Sequence, residues 1–322
     1  MKRPEISIIM PVYDCEAFIE CAINSIQSQM FEDWELIAVD DGSTDSSPAI
    51  LDSIAAQDQR IKVIHQANGG VAAARQVGLE NALGKYVIHV DADDWVEPDY
   101  LKNMYDVIEE RQCDMVWCDA FVNEEKIWKH SCQEDVEVMI HNILRQEVWG
   151  TLWNRLWRRD ICSKEKFLKD CRMWEDMLFV VKCLMRTHSI VYIPQPLYHY
   201  RQREGSLTNN QNNREISVEY QKVVAELQRA FEDYGRIDEF QDDLIGLKLF
   251  AIRDYVDDVR FRNYDKFMNT YPDAVQSIWK YPNYPARLKV TSWLLQHNLR
   301  GLIPLVFKFD GLLRKLGLSK QI

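Results

Sequence analysis

Four apolar runs in the first ninety residues, each followed by a polar turn and then by helical spacing, constrain this 322-residue chain more than any other feature. Residues 6–10 are stopped by Pro11. Residues 35–39 run into Asp40-Asp41-Gly42-Ser43, residues 61–64 form a third run, and residues 85–90 end at Asp91-Ala92-Asp93. Between them, residues 15–29 carry Phe18, Ile19, Ala22, Ile23 and Ile26 at helical spacing, and Ser47-Pro48 opens a helix reaching about Ala56, with proline at the favoured first position. A third helix runs from Val71 to Ala82, closed by Gly84. Strand and helix alternating at these lengths predict an α/β protein, a doubly wound and mostly parallel sheet with right-handed crossovers. In such sheets ligands bind beyond the carboxyl ends of the strands, where the polar motifs of this half fall.

Residues 100–200 read as mixed, with helices near 99–111, 136–147 and 174–187 and short strands near 114–118 and 189–193. A polar stretch, Ser206 to Asn213, marks a linker, and residues 214–234 form an amphipathic helix ended by Gly235. The expected organisation is a catalytic domain over 1–205, a helical extension over 206–280 and a basic amphipathic tail over 281–322.

A net charge of −11 excludes a nucleic-acid binder, which needs a basic surface to neutralise phosphates. The charge is unevenly spread. From Lys280 to Ile322 eight Lys and Arg face Asp310 alone, a net +7, which leaves −18 for residues 1–279. The eight cysteines include no C-x-x-C pair, so reduced thiols in a cytoplasmic setting are expected rather than a disulfide framework or a zinc site. The first residues enter a strand too soon for a signal peptide, and no apolar run approaches the ~20 residues of a membrane span.

Asp91 and Asp93 are hard oxygen donors at the end of a strand, suited to Mn²⁺ or Mg²⁺ with one side left open for a diphosphate. On an extended strand both would point the same way; a solvated turn would have the same composition. Tyr13, at the end of the first strand, offers a stacking platform for a base. Asp41 can accept from a base or from ribose hydroxyls, and the glycines at 69 and 70 allow backbone close to a ligand, with Arg75 on the following turns to grip a diphosphate. Trp174-Glu175-Asp176 opens an apolar helix, where acids also serve as dipole partners.

In this order, P-V-Y-D at residue 11, V-D-D-G-S-T-D at 39, N-G-G-V-A-A-A-R at 68, G-K-Y-V-I-H-V-D-A-D-D at 84 and W-E-D at 174, the chain resembles the family 2 inverting glycosyltransferases of bacterial polysaccharide synthesis, over roughly residues 4–205. The resemblance implies a GT-A fold. It implies that Pro11, Val12, Tyr13, Asp41, Gly69, Arg75, Asp91 and Ala92 hold the nucleotide, that Asp93 ligates the metal with Asp91 assisting, and that Asp176, with Glu175 beside it, is the base. The segment from Trp153 to Arg159 resembles a W-N-K-L-aromatic-basic stretch on the acceptor side, placing Trp153, Asn154, Trp174 and Arg201 there, while the Y-H-Y-R segment at 198 makes His199 a further metal candidate. Two departures, Gln76 where relatives carry Asn and His89 where an apolar residue is usual, remove no required group.

The implied activity is metal-assisted transfer of a sugar from a nucleotide diphosphate sugar, UDP favoured, to a saccharide or lipid-linked saccharide. The alternatives are a catalytically silent saccharide-binding or scaffold protein of the same fold and a nucleotidyltransferase, which would need a Gly-rich basic loop that residues 10–17 lack. Tyr281, Tyr284, Trp293 and the leucines of the tail, combined with its basic excess, predict contact with an anionic membrane surface. The protein is thus expected at the inner face of the plasma membrane; packing of the tail on the acidic catalytic half is the competing expectation.

Overall fold

The computed structural model describes residues 3–123, 126–128, 134–202, 216–257, 262–281 and 284–315. The chain forms two compact units, Met1–Asn213 and Arg214–Ile322. The polar stretch 206–213 read as a linker lies outside the described residues.

In the first unit β1 (Ile6–Val12), β2 (Trp34–Asp40), β3 (Ile61–His65) and β4 (Tyr86–His89) pair in parallel in the order β3-β2-β1-β4. The crossover helices are α1 (Ile19–Gln27), α2 (Ser47–Ala55) and α3 (Val71–Asn81). α1 turns Ile19, Ala22, Ile23 and Ile26 inward, as their three- and four-residue spacing requires. From β1 the chain first builds outward through β2 and β3, then returns to place β4 on the other side. The strand order therefore reverses between the carboxyl ends of β1 and β4, the point where such sheets open a crevice.

Beyond β4 the sheet becomes mixed. β5 (Trp95–Val96), α4 (Tyr100–Arg111), β6 (Met115–Val122) and β7 (Lys126–Trp128) follow, then α5 (Val136–Leu144), β8 (Arg155–Arg158), α6 (Arg159–Cys162), α7 (Glu175–Leu184) and β9 (Ile190–Tyr200). β8 inserts antiparallel between β4 and β6, and β9 runs parallel to β6. The short strand expected near 189–193 thus extends to Tyr200, passing Pro194 and Pro196. Its register against β6 shifts at Cys118 and Asp119, because proline cannot donate to the ladder and is accommodated by a bulge. β8 lies in the segment read only as an acceptor-side motif. Its Arg155, Leu156 and Trp157 are all buried, so no polar alternation marks it as a strand. Tyr86, Ile88 and Val90 join the main core with β1, β2, α1 and α4, while Val87 and His89 point to the opposite face.

The second unit is helical: α8 (Ile216–Asp233), α9 (Ile237–Ile252), α10 (Asp254–Asp257), α11 (Tyr264–Thr270), α12 (Pro272–Ser277), α13 (Ala286–Gln296) and α14 (Ile303–Lys315). Its core gathers Leu249, Ile252, Val256, Phe267, Val275 and Ile278 with Leu288, Leu294, Leu295 and Ile303. The segment after residue 280 therefore contributes to this core. Arg287 forks onto Asp257 at 2.9 and 2.7 Å, and the Tyr284 hydroxyl donates to the Leu249 carbonyl at 2.9 Å.

Candidate active site

Tyr13 follows β1 with 47% of its surface exposed. Its neighbours are tied down: Val12 is buried, and its carbonyl accepts from the Asp41 N–H at 2.8 Å. Asp14 adopts φ 47°, and its carboxylate accepts from the Thr44 N–H at 2.7 Å. An aromatic face is thereby held open at the switch point.

Asp41 is buried, and its carboxylate is occupied. Oδ1 accepts from Gln66 Nε2 at 2.6 Å and from the Gly69 N–H at 2.9 Å, and Oδ2 accepts from the Gly70 N–H at 2.7 Å. Expected at the nucleotide, Asp41 here shapes the glycine turn that leads into α3, with Gly70 at φ 84°, a conformation that side-chain-bearing residues resist. Beside it, Asp40 accepts from His65 Nδ1 at 2.9 Å and from the Ser43 N–H at 3.0 Å. Burial would raise the Asp40 carboxyl, but these donors hold it below its ordinary value; His65, also 3.1 Å from Asp52, is raised by its two carboxylates.

Arg75 joins three motifs. Nη1 meets Glu175 Oε1 at 2.7 Å and Nη2 meets Asp91 Oδ1 at 3.0 Å, with the guanidinium buried. The guanidinium expected to grip a diphosphate bridges the end of β4 and the start of α7, and a buried guanidinium needs such carboxylate partners to offset desolvation. Burial opposes its charge, and Asp91, Glu175 and Asp176 together more than offset this, so Arg75 stays protonated.

The acidic motif is a turn rather than an extended strand end. β4 stops at His89, and the Asp94 N–H closes back onto the Asp91 carbonyl at 3.1 Å. Ala92 is buried beneath it and Asp93 is partly exposed. The turn is held by Asp94 and Tyr198. The Tyr198 hydroxyl donates to Asp94 Oδ2 at 2.6 Å and accepts from the Asp91 N–H at 3.1 Å, while Asp94 Oδ1 accepts from the Arg201 N–H at 2.8 Å. Burial, then the neighbouring Asp91 and Asp93, push the Asp94 carboxyl well above its usual range. Asp94 ends the V-D-A-D-D run and Tyr198 opens the Y-H-Y-R segment, but neither motif shows that the two side chains meet.

Asp176 sits half-buried on the first turn of α7, its Oδ1 accepting from the Met177 N–H at 2.7 Å. Burial raises its carboxyl, with Arg75 opposing. Glu175 is raised by burial and by Asp176, again against Arg75. Trp174 precedes them at φ 61°, strained for a bulky residue and the kind of backbone outlier that gathers at functional sites.

The acceptor-side candidates divide. Trp153 is buried, stacked on Tyr198 at 4.3 Å and on Tyr200 at 5.8 Å, so it presents no face to a sugar. Asn154 is buried too, donating to the Cys118 carbonyl at 2.9 Å. Both shape the loop from within. Arg155, fully buried, fastens that loop through the Trp149 carbonyl at 2.8 Å, Asn154 Oδ1 at 2.8 Å and the Thr151 carbonyl. The exposed aromatic is Trp149, edge-on to Tyr200 at 6.0 Å, which the sequence reading passed over. Arg201 lays its guanidinium over Phe18 at 5.0 Å and Trp95 at 4.6 Å. His199, expected as a metal candidate, is stacked between Trp95 at 4.7 Å and Phe121 at 4.5 Å, with Nε2 on Glu97 at 2.6 Å. Its Nδ1 is buried without a hydrogen-bond partner among the described residues.

Among the described residues no group of three or more His, Cys, Asp and Glu side chains forms a metal cage. Asp93 and Asp91 bring two hard carboxylates, and Asp91 already gives one oxygen to Arg75. Magnesium-type sites use one or two carboxylates and complete their shell with substrate phosphates and water. The donor set fits a cation shared with a diphosphate.

The sequence pattern of Glycosyl transferase family 2 matches residues 7–161. The uncharacterized glycosyltransferase EpsJ of Bacillus subtilis (strain 168) is 30% identical over 254 residues, covering 75% of this chain and 74% of its own length. The chain belongs to glycosyl transferase family 2. This glycosyltransferase shares its fold with S. aureus TarS residues 1–349, at TM-score 0.69 and 20% identity over 98% of this chain and 93% of that one. The same TarS region in complex with UDP-GlcNAc superposes at TM-score 0.65 and 19% identity, over 98% and 93%. The mannosyltransferase PcManGT from Pyrobaculum calidifontis, in complex with GDP-Man and Mn²⁺, is similar at TM-score 0.52 and 17% identity, over 95% and 86%. The family 2 glycosyltransferase thus has the GT-A architecture, with its motifs at the carboxyl ends of β1, β2 and β4.

Proposed function

We propose that this glycosyltransferase moves a sugar from a UDP-sugar to a hydroxyl of a saccharide or lipid-linked saccharide, with inversion, in cell-surface polysaccharide synthesis at the cytoplasmic face of the membrane. The observation that carries the reading is the Arg75 bridge, which fixes Asp91 of the acidic turn and Glu175 beside Asp176 on one guanidinium. The UDP-GlcNAc held by the TarS neighbour supports a UDP-sugar donor.

Tyr13 stacks on the base, and the backbone of Gly69 and Gly70 approaches the ribose and phosphates. Asp93, with Asp91, would hold Mn²⁺ or Mg²⁺, which would supply charge neutralisation for the departing diphosphate. The Asp176 carboxylate accepts the proton of the acceptor hydroxyl as its oxygen attacks the anomeric carbon. The bond from that carbon to the diphosphate oxygen breaks, its electron pair leaves with the nucleotide diphosphate, and in-line attack inverts the linkage. The raised Asp176 carboxyl makes a stronger base than an ordinary aspartate. Arg75 holds Glu175 at 2.7 Å and so fixes the start of α7.

Slow hydrolysis of UDP-GlcNAc with Mn²⁺ tests the assignment. Asp93→Ala and Asp176→Asn should each reduce it at least a hundredfold, roughly the scale of lost acid–base catalysis, while Asp176→Asn retains UDP binding. Unchanged hydrolysis in both variants would overturn the roles given to these residues.

A further inference from the structure

Helix α14 presents a stripe of large apolar side chains to solvent. Leu302, just before it, and Leu305, Phe309 and Leu312 are 45%, 61%, 62% and 53% exposed, and their spacing of three and four residues puts them in one line along the axis. Ile303, by contrast, is fully buried, and Asp310, the single acid among the described residues after 299, turns toward Arg287 at 4.0 Å. Lys308 and Lys315 are exposed and lie along one flank of the stripe by helical geometry. Trp293 on α13 and Leu299 are 43% and 39% exposed. None of this belongs to the nucleotide-sugar site.

We propose that this outward face of α14 is a docking surface for an anionic lipid bilayer. A line of leucine and phenylalanine beside lysines, with no outward acid, is the pattern that lies in a bilayer interface. Among the described residues no helix is long and apolar enough to cross a membrane, so the contact is interfacial. Charge favours a lipid partner: the chain carries −11 overall and is repelled by an anionic surface except where its basic residues collect. The inference deepens the proposed action on a lipid-linked acceptor and rests on that reading for the partner's identity.

The test is co-sedimentation of the full-length protein with phosphatidylcholine vesicles prepared with and without phosphatidylglycerol. Binding is expected only to the phosphatidylglycerol vesicles. Leu305→Glu/Phe309→Glu should weaken it at least tenfold, and Lys308→Gln/Lys315→Gln by about thirtyfold, on the scale of two lysines near a charged surface. Both variants should keep Mn²⁺-dependent UDP-GlcNAc hydrolysis, because they change only exposed side chains of the helical unit. Absence of binding by the unaltered protein overturns the proposal, as does undiminished binding by the Leu305/Phe309 variant. A dimer in analytical ultracentrifugation that the same variant dissociates would show that a second copy covers this face, and would also overturn it. Loss of hydrolysis in the unaltered protein with vesicle binding intact would count against the transferase chemistry alone.

Discussion

Arg75 gathers carboxylates from residues 91 and 175 that lie far apart along the chain, and it is buried with them. Removing a partner from a buried ion pair costs about 3–5 kcal/mol, because it strands an uncompensated charge. Arg75→Met should therefore destabilise the protein by about that much in urea unfolding, and adding Glu175→Gln should recover part of the loss; an additive double variant would show that the two do not act as a pair. His89 presents the opposite case. Both ring nitrogens are buried without a hydrogen-bond partner among the described residues, and burial, then Arg75, holds the imidazole well below its usual pKa. His89→Leu should stabilise the fold by about 1–3 kcal/mol, the cost of leaving a buried polar group unpaired. The sign with pH follows from the depressed folded value. Below about pH 6.5 the unfolded chain binds a proton that the folded chain excludes. The gain from His89→Leu should then grow as pH falls, and a gain that shrinks toward acid would refute this account.

At the scale of elements, β1 to β4 and their helices were legible from apolar periodicity, and Ser47-Pro48 opens α2 as expected; but β1 runs through Pro11 to Val12, and α3 ends at Asn81, while Gly84 lies beyond it against the Ser7 backbone. The acidic pair, Arg75 and Glu175-Asp176 were legible as a motif order, but their division of labour was not. Whether a guanidinium meets a diphosphate or two buried carboxylates depends on the distance between α3 and α7, which no local pattern encodes. Trp153 and Trp149 are equally aromatic in sequence, and only packing against Tyr198 and Tyr200 makes one interior and leaves the other exposed. Gly150 shows how closely the loop of Trp149 sits on α7, the helix that carries Asp176. A Cβ placed there would lie 2.7 Å from the Met177 Cα, so Gly150→Ala must displace either the loop or the first turn of α7. Misplacement of a reacting group by about 1 Å can cost on the order of a hundredfold. Gly150→Ala should therefore lower kcat for donor hydrolysis by about that factor and leave UDP binding nearly unchanged. An unchanged kcat would show that α7 does not need this contact.

Across the whole molecule, two separate cores divide the labour. The core around β1, β2, β4 and α1 contains the strands whose ends carry the candidate site, and the core of α9 to α14 contains none of the site's residues. A ligand that binds only the folded form stabilises the unit that holds its site, by RT ln(1 + [L]/Kd). Scanning calorimetry of the full chain should then show that UDP with Mn²⁺ raises the midpoint of the transition belonging to residues 1–213 by an amount that grows with the logarithm of ligand concentration. The transition of residues 214–322 should keep its midpoint. A single transition that shifts as one would mean that the two units unfold cooperatively, and the absence of any shift at saturating UDP and Mn²⁺ would remove the nucleotide site from the first unit. Substituting Asp93 by Ala tests the same link from within, because a cation shared between this carboxylate and the diphosphate must lose most of its stabilising effect when the carboxylate is gone.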